Sequence, residues 1–426
     1  MMFRKTVVSW SVASALLVMA GSAAASGFAL IEQSGSGLGN AFAGGAASAE
    51  DASTIFYNPA GMSRLSGRQI TVAGSMIGPS AQFSNTGSTA AAGRPLGTAT
   101  GDAGSWALVP NAYFAMEVNP KMHIGLGINS PFGLKTEYQP GWMGRFQALK
   151  SSVETINLNP SLSYQVSDAL TLGAGVNYQR IRAGLTGAQS FGAGGEGLSN
   201  MSGSDAAWGY NLGALFETGS GGRFGVAYRS AINYQLSGTL VVTSPSGAIA
   251  LNRPVTANMK MPDTLSFSYF RDLGNRWDVM ADLTRTGWSN FNELRIVDAG
   301  TGATRSLTPE NWSNTWRAAM GANYHYNEAW TARMGVAYDQ AGVSDAFRTA
   351  RIPDANRTWL ALGGQYKPTK ASAVDFGYAH LFVNNATISN NKGGATGTAT
   401  PTTVGNLVGT YKNSVDILSV QYAYGW

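Results

Sequence analysis

The sequence contains no cysteine and only three histidines. The first absence excludes a disulfide framework, a thiolate metal site and a cysteine nucleophile. None of the histidines lies in a recognisable nucleophile motif or at the spacing of a metal site. We therefore predict a protein that is not an enzyme, with no catalytic residues, metal or cofactor. A serine–histidine pair formed across strands is the alternative that the sequence leaves open.

Charge and long apolar runs are also scarce. Charged residues make up 12% of the chain, whereas glycine occurs 54 times, so the charged surface of an ordinary soluble protein is missing. No stretch after residue 25 supplies the ~20 apolar residues that a membrane-spanning helix needs. Yet 11 Trp, 17 Tyr and 17 Phe are too many for a disordered chain. These features exclude a helical membrane protein and favour a chain that contacts lipid without membrane-spanning helices.

The N-terminus has the pattern of a signal peptide over residues 1–25. Arg4 and Lys5 precede an apolar stretch over Val12–Ala20, and an Ala-x-Ala cleavage site follows at Ala23–Ala25. Removing these residues takes away two basic residues and no acid, which lowers the formal net charge from +5 to +3. That balance is too mild to predict a nucleic-acid partner. An exported, disulfide-free chain rich in glycine and aromatics is typical of the bacterial outer membrane.

Alternating strands predict how the chain crosses that membrane. Only helices and closed barrels span lipid, and barrel strands alternate apolar and polar residues over about 10 positions. Trp330–Asp339 does so, with aromatics on the lipid side and Arg333 on the lumen side, and Trp316–His325 repeats the pattern. We predict an all-β fold, a transmembrane antiparallel β-barrel of about fourteen strands over residues 68–426.

The connections between strands support the same topology. Short turns after even-numbered strands alternate with longer segments after odd-numbered ones, as in outer-membrane barrels. The longer loops are predicted over Gly187–Asp205, Gly238–Pro262 and Ser389–Lys412. The last strand places apolar and aromatic residues on one face and ends at Trp426. This ending resembles the terminal signal that the barrel-insertion machinery binds, so that machinery is a predicted partner.

The segment 26–67 lacks strand periodicity and either lies in the periplasm or folds into the lumen. Its motifs, in order, are Gly27-Phe28, Ser36-Gly37-Leu38-Gly39 and Asn58-Pro59-Ala60. In these motifs the chain resembles the FadL family of outer-membrane transporters for long-chain fatty acids, which includes relatives that import aromatic hydrocarbons. Further similar motifs extend over the mature chain, at Asn129–Leu134, Met261–Asp263, Thr286–Phe291, Ile352–Asp354 and Arg357–Leu360.

The resemblance implies a plug, called the hatch, formed by residues 26–67 inside the lumen. It implies that Phe28, Asn58, Pro59 and Ala60 act in gating and that the partner is a hydrophobic ligand. Asn58-Pro59 also has a physical basis as a turn, because proline lacks an N–H and restricts the residue before it. An ordinary turn is the alternative interpretation of the same pair.

Pro131 and Gly133 flank Phe132 in the predicted third strand. Proline removes a ladder donor and belongs at an edge, an end or a bulge, whereas a closed barrel has no edge. The break therefore lies either at the end of the strand or at an interruption of the wall. In the resembled family the third strand is kinked inward and leaves a side opening, which makes Pro131, Phe132 and Gly133 the predicted lateral exit.

A carboxylate ligand needs a cation. Strand parity directs Arg317 and Arg333 into the lumen, where either could form charge-assisted hydrogen bonds with it. The alternative is an internal ion pair with Asp278, Asp282 or Asp339, which face the same side. The family's own cationic ligand residues have no match at their expected places in this sequence.

Arg180 and Arg182 fall instead on the lipid side near the extracellular end of the fifth strand, where lipopolysaccharide phosphates are the predicted partners. We predict a monomer that sits in outer-membrane lipid and transports passively, since no Walker A motif with its lysine is present. Fatty acid is the leading cargo and aromatic hydrocarbon the alternative within the family. A general diffusion porin with a polar lumen is the alternative outside it.

Overall fold

The computed structural model describes residues 27–219, 221–390 and 404–426. The predicted signal peptide lies outside the described residues, as do residues 391–403 of the last predicted loop. None of the helices in the described part of the chain is long and apolar enough to cross a bilayer. The helices are α1 (Gly45–Ser48), α2 (Thr54–Tyr57) and short 3-10 turns at Leu38–Asn40, Pro59–Arg64, Gly192–Gly194 and Trp288–Asn290.

Strands account for most of the remaining described residues. The first eleven are β1 (Arg68–Asn85), β2 (Thr100–Asp102), β3 (Ala107–Asn119), β4 (Met122–Asn129), β5 (Gly133–Glu137), β6 (Lys150–Ser167), β7 (Leu170–Ser190), β8 (Glu196–Glu217), β9 (Gly222–Arg229), β10 (Ile232–Thr243) and β11 (Ile249–Met261). The others are β12 (Thr264–Asp272), β13 (Trp277–Thr286), β14 (Glu293–Asp298), β15 (Thr304–Pro309), β16 (Thr315–His325), β17 (Trp330–Asp339), β18 (Arg357–Thr369), β19 (Ser372–Val383), β20 (Ala386–Asn390) and β21 (Leu407–Gly425).

These strands form one closed antiparallel barrel of fourteen barrel strands. Each barrel strand pairs with the next one along the chain. The last, β21, pairs with β1 from Gln69 opposite Gly425 to Asn85 opposite Gly409 and so closes the barrel. Seven barrel strands consist of two segments each: the second (β2 and β3), third (β4 and β5), seventh (β9 and β10), eighth (β11 and β12), ninth (β13 and β14), tenth (β15 and β16) and thirteenth (β19 and β20). The predicted fold class and strand number are confirmed.

The alternation of residues explains the two faces of the wall. In β17, Trp330, Met334 and Tyr338 are exposed on the outside, whereas Arg333 and Asp339 are buried inside. Apolar exposure is unfavourable in water but matches lipid, and closure satisfies the backbone through the ladders. Aromatic rings of neighbouring strands stack near the strand ends, as in the pair of Trp330 and Tyr366 at 4.5 Å between centroids.

The predicted bounds of two long loops are wrong, because the strands on either side extend further than expected. β7 and β8 run on to a connection of residues 191–195, within the predicted loop Gly187–Asp205. β10 and β11 run on to residues 244–248, within the predicted loop Gly238–Pro262. Backbone pairing therefore continues beyond the height at which lipid demands apolar side chains. The hydrophobic alternation stops before the ladder does, so the sequence pattern ends too early.

Candidate functional site

Residues 27–67, ahead of β1, pack against the inner face of the barrel wall. The turn at Pro59–Arg64 packs against β6, β7 and β8, α1 packs against β9 and β12, and the turn at Leu38–Asn40 packs against β18 and β19. Leu38, Phe42 and Ile55 are buried within these contacts. These contacts favour the lumen over the periplasm, the two locations that the sequence left open for this segment.

Asn58 fixes the turn at Pro59 and ties it to the wall. Its side-chain oxygen accepts a hydrogen bond from Ala60 N at 3.0 Å, as an N-terminal cap does, and its amide donates to the carbonyls of Ala46 and Ala214 at 2.7 and 3.0 Å. The wall permits this approach because a Cβ on Gly213 would lie 1.9 Å from the Asn58 side-chain oxygen. The predicted gate residues thus lie at a tight contact between segment and barrel.

Arg333 and Arg317 face the lumen and are both buried. Arg333 donates to the carbonyl of Ser36 at 2.6 Å and forms ion pairs with Asp375 at 2.9 Å and Glu50 at 2.8 Å.

Arg317 donates to the carbonyl of Ala41, and its guanidinium lies 4.0 Å from Asp282 and 5.2 Å from the ring of Trp359. Of the internal ion pairs that the sequence left open, the one with Asp282 is present for Arg317. Arg333 is also paired internally, but with Asp375 and Glu50, which were not among the expected partners. Both cations also bind backbone of the segment in the lumen.

The third barrel strand is interrupted at Ser130–Phe132. Opposite β6, Asn129 pairs with Asn157 and Gly133 pairs with Glu154, so three residues face two and the strand bulges. The Thr155 hydroxyl fills the break, accepting from Phe132 N at 3.0 Å and donating to Phe132 O at 2.7 Å. Of the two placements considered for Pro131, strand end or wall interruption, the structure has the second.

The other edge of this interruption is open. β3 pairs with β4 only as far as Ala112 opposite Ile128, and β5 pairs with β6 but not with β3. The N-terminal residues occupy the inner side instead: Leu30 N donates to Pro131 O at 2.8 Å, and Gly133 N donates to Phe28 O at 2.9 Å. The segment in the lumen is thus hydrogen-bonded directly to the kink.

Phe28 sits in an aromatic cluster beside this contact. Its ring centroid lies 4.7 Å from that of Trp288, 5.6 Å from Phe291, 5.9 Å from Trp312 and 6.2 Å from Phe132. Edge-to-face contacts at these distances add stabilisation beyond the burial of apolar area. Phe28 therefore lies between Phe132 of the third barrel strand and the aromatic rings at the breaks of the ninth and tenth barrel strands.

Above the cluster lies an apolar cavity. Its lining comes from the third to tenth barrel strands, the segment ahead of β1 and the loop before β18, and includes Phe28, Leu134, Met201, Leu236, Met259 and Phe291. The charged side chains in that lining are Glu310 and Arg351. A cavity with an apolar wall and two convergent polar groups has the form of a site for an amphipathic small molecule.

Glu310 and Arg351 differ in how their charges are compensated. Glu310 is buried and accepts a hydrogen bond from the Trp312 indole at 3.1 Å, and burial raises the pKa of its carboxyl to about 8. Arg351 donates to Ser151 Oγ at 3.0 Å and to the carbonyls of Lys150 and Thr186. Burial lowers its pKa to about 10, so the guanidinium stays charged near neutrality. Among the described residues, no carboxylate lies within 4.0 Å of Arg351.

Comparison with known proteins identifies the kind of molecule. The family of outer membrane protein transport proteins (OMPP1/FadL/TodX) matches residues 16–426. The chain belongs to this family. It is 32% identical to outer membrane protein P1 of Haemophilus influenzae over 416 residues, covering 87% of this chain and 88% of that protein. It is 28% identical to the long-chain fatty acid transport protein of Escherichia coli over 423 residues, covering 89% and 93%.

Solved structures agree with the fold. A FadL homologue of Pseudomonas aeruginosa has a TM-score of 0.84 at 25% identity, covering 93% of this chain and 99% of that one. The toluene transporter TodX of Pseudomonas putida has a TM-score of 0.68 at 17% identity, covering 88% and 94%, and supports the fold alone. As an OMPP1/FadL/TodX protein, the chain is located in the outer membrane, is a transport protein and is not an enzyme. Its family is one of channels for hydrophobic compounds.

Several residues of the site were not predicted. Glu310 and Arg351 lie outside regular strands, in the break of the tenth barrel strand and in the loop before β18, where no periodicity marks a lumen-facing side chain. The sequence did mark other residues of this site, because Trp288, Phe291 and Asp354 belong to segments that resemble the family. Asp354 accepts from Gly27 N at 2.8 Å and pairs with Arg357 at 2.6 Å.

Proposed function

We propose that this OMPP1/FadL/TodX protein transports long-chain fatty acids passively, by binding them in the apolar cavity and releasing them sideways at the third barrel strand. One observation carries the proposal: the cavity has at one end Arg351, which has no described carboxylate within 4.0 Å, and at the other Phe28, hydrogen-bonded to the kink. An alkyl chain fits the wall, and a carboxylate fits the arginine. The names of the E. coli and P. putida relatives leave fatty acid and aromatic hydrocarbon as the two candidate cargoes.

Entry from outside is supported by a second cavity next to the first. Arg351, Leu185, Met201 and Leu294 line both cavities, so they mark the passage between them. The outer cavity also contains Arg305 and Arg348, each paired with an aspartate. An anionic head group would meet Arg351 as the first cation without an ion-pair partner.

Release to the side is supported by what lies on the periplasmic side of the cavity. There the walls of the third to sixth barrel strands turn polar in a belt of buried asparagines: Asn129, Asn157, Asn159, Asn177 and Asn211, linked by side-chain hydrogen bonds of 2.9–3.1 Å. Each methylene that passes from an apolar site into a polar one loses ~0.8 kcal/mol. The open edge between β3 and β5 gives the chain an apolar alternative in the bilayer.

In this mechanism residues 26–67 are the hatch. Ligand entering the cavity displaces the Phe28 ring, breaks the hydrogen bonds of Phe28 and Leu30 to the kink and so opens the path past Pro131–Gly133. The contacts of Asn58, Pro59 and Ala60 keep the rest of the hatch in place. Arg317 and Arg333 then act as anchors of the hatch, and the ligand carboxylate is bound by Arg351.

The test is a binding comparison with purified protein. Arg351→Ala should weaken binding of a long-chain fatty acid by roughly 10- to 100-fold, since a hydrogen bond to a charged group contributes about 1.5–3 kcal/mol. Binding of the matched long-chain alcohol should change little. Arg305→Ala is the control, because Arg305 lines the outer cavity but is already paired with Asp298 at 2.6 Å.

Each other outcome identifies an alternative. Equal loss for acid and alcohol would contradict the head-group role of Arg351. Binding of toluene without binding of fatty acid would favour the aromatic cargo. Steady ohmic conductance of the wild-type protein in planar bilayers would favour a general diffusion porin.

A further inference from the structure

A second break in the wall lies between the sixth and seventh barrel strands. β8 pairs with β9 as far as Asn211 opposite Arg229 and resumes with β10 at Ser204 opposite Ser237. Between these points residues 205–210 and 230–236 have no ladder with each other, although β8 stays paired with β7 and β10 with β11. The wall therefore contains a slit that is closed above and below by regular pairing.

Side chains close the two ends of the slit. At the periplasmic end one backbone hydrogen bond remains, from Ser230 N to Tyr210 O at 2.9 Å, and Tyr210 N donates to Ser230 Oγ at 2.9 Å. At the extracellular end Gln235 N donates to Asp205 Oδ2 at 2.7 Å. In a regular ladder these amides would bind backbone carbonyls of the facing strand. The amides of Tyr210 and Gln235 bind side chains instead, so the regular ladder stops at both ends without leaving these donors unsatisfied.

The inner side of the slit meets the ligand cavity. Ile232 and Tyr234 are buried there in the same apolar cluster as Phe28 and Phe132, and Leu236 lines the cavity itself. The facing strand offers little bulk, because a Cβ on Gly209 would already lie 2.8 Å from Ile232 Cγ1. The side chain of Ile232 is thus the main filling between cavity and outside.

The outer side lies at the membrane interface. Trp208 is 67% exposed, and its ring lies 4.9 Å from that of Tyr178, as in an aromatic girdle. Asn233 is exposed on the facing strand, so this height is not deep in the hydrocarbon. The exposed Arg180 stands on the next strand, opposite Ala206. An amphiphile here would keep its alkyl chain in lipid and its anionic head near Arg180.

We infer that this slit is a second lateral portal, through which the alkyl chain of an anionic amphiphile passes between the cavity and the outer leaflet. The inference rests on the proposed function, since it needs an apolar ligand in the cavity. The break between the eighth and ninth barrel strands serves as a contrast. Each break keeps one backbone hydrogen bond, from Ser230 N to Tyr210 O in the slit and from Gly287 N to Asp263 O in the other. The second break differs because the buried ring of Trp288 fills its space.

The test closes the slit with an engineered disulfide. No native thiol can compete for it, because the chain has no cysteine. Ala206→Cys with Gln235→Cys places two thiols opposite each other on the outer face. Ser202→Cys with Thr239→Cys, a pair already within the ladder, is the matched control. Uptake of a labelled long-chain fatty acid is measured in a transporter-null strain under oxidising and reducing conditions, with and without deletion of Pro131.

We expect oxidation to lower uptake several-fold for the slit pair, to remove the residual uptake of the Pro131-deleted protein, and to leave the control pair unchanged. A cross-linked slit with unaltered uptake in both backgrounds would overturn the portal. If the thiols do not join, Ile232→Ala should raise uptake several-fold over Ile232→Leu, and equal uptake of these two variants would also overturn it. Absence of fatty acid uptake by the wild-type protein would contradict the proposed function instead.

Discussion

The wall of the barrel differs between its eleventh to fourteenth strands and its third to tenth strands. In the first region only the thirteenth barrel strand is interrupted, and buried polar side chains face the hatch. Gln421, for example, accepts from Gly35 N at 3.0 Å and donates to Asp51 at 2.8 Å. In the second region five barrel strands are interrupted, and the lining of the cavity is apolar. In the first region, regular strands carry the buried polar and charged side chains that bind the hatch. In the second region, interrupted strands with apolar side chains leave space for a ligand and for lateral exits.

The largest effect should follow from making the third strand as regular as the eleventh. Deletion of Pro131 leaves two residues facing two opposite β6 and so restores a continuous register. If the exit is lost, exposing only two methylenes to water costs roughly 1.6 kcal/mol, which lowers fatty acid uptake by about tenfold or more. Pro131→Ala keeps the extra residue and is the control, with uptake close to wild type. Full uptake by the deleted protein would show that the bulge is not an exit.

A second prediction breaks the other region. Arg333→Met leaves the buried Asp375 and the partly buried Glu50 without their cation, and removing one partner of a buried ion pair costs about 3–5 kcal/mol. The free energy of unfolding, measured in urea with detergent-solubilised protein, should fall by this amount, and ion conductance should rise as the hatch loosens. Arg64→Ala removes an exposed pair with Glu217 and should change stability by about 0–1 kcal/mol. Equal effects of the two substitutions would contradict the anchoring role.

The same contrast explains what the sequence could predict. In the regular ladder of β16 and β17, lipid imposes an alternation that identifies both strands residue by residue, including the inward side of Arg317 and Arg333. Their partners are harder to find, because Asp375 and Glu50 approach Arg333 only after the barrel has closed and the hatch has folded inside it. Where the wall is irregular, Pro131 gives a local signal, since proline cannot donate to the ladder. The slit at Asp205–Tyr210 has no such signal, because its residues alternate normally and only the register between two distant segments reveals it.

A third prediction concerns Glu310 in the irregular region. Burial raises its pKa from 4.5 to about 8 in the folded protein. Between pH 4.5 and 8 the carboxyl therefore keeps its proton in the folded state and loses it in the unfolded state. Stability contributed by this group is therefore lost as pH rises from about 4.5 to 8.

Glu310→Gln should flatten the decline by on the order of 5 kcal/mol, since the pKa rises from 4.5 to about 8 and one pKa unit corresponds to about 1.4 kcal/mol. Unfolding free energies at several pH values measure this, with Glu217→Gln as the control at an exposed site. A decline of unchanged slope would show that Glu310 ionises freely in the folded protein.

The smallest effect is expected outside the lumen, where neither kind of wall is disturbed. Arg180 and Arg182 are exposed on the outer face of β7, and a cation near an anionic membrane surface contributes about 1 kcal/mol. Arg180→Gln with Arg182→Gln should therefore weaken binding of lipopolysaccharide to the purified barrel while leaving hatch stability unchanged, with Arg295→Gln in the extracellular hairpin as the control. Because Arg180 also stands beside the slit, fatty acid uptake should fall less than on cross-linking Ala206→Cys to Gln235→Cys. A larger fall would mean that the cation, rather than the gap between the strands, limits passage at this side of the wall.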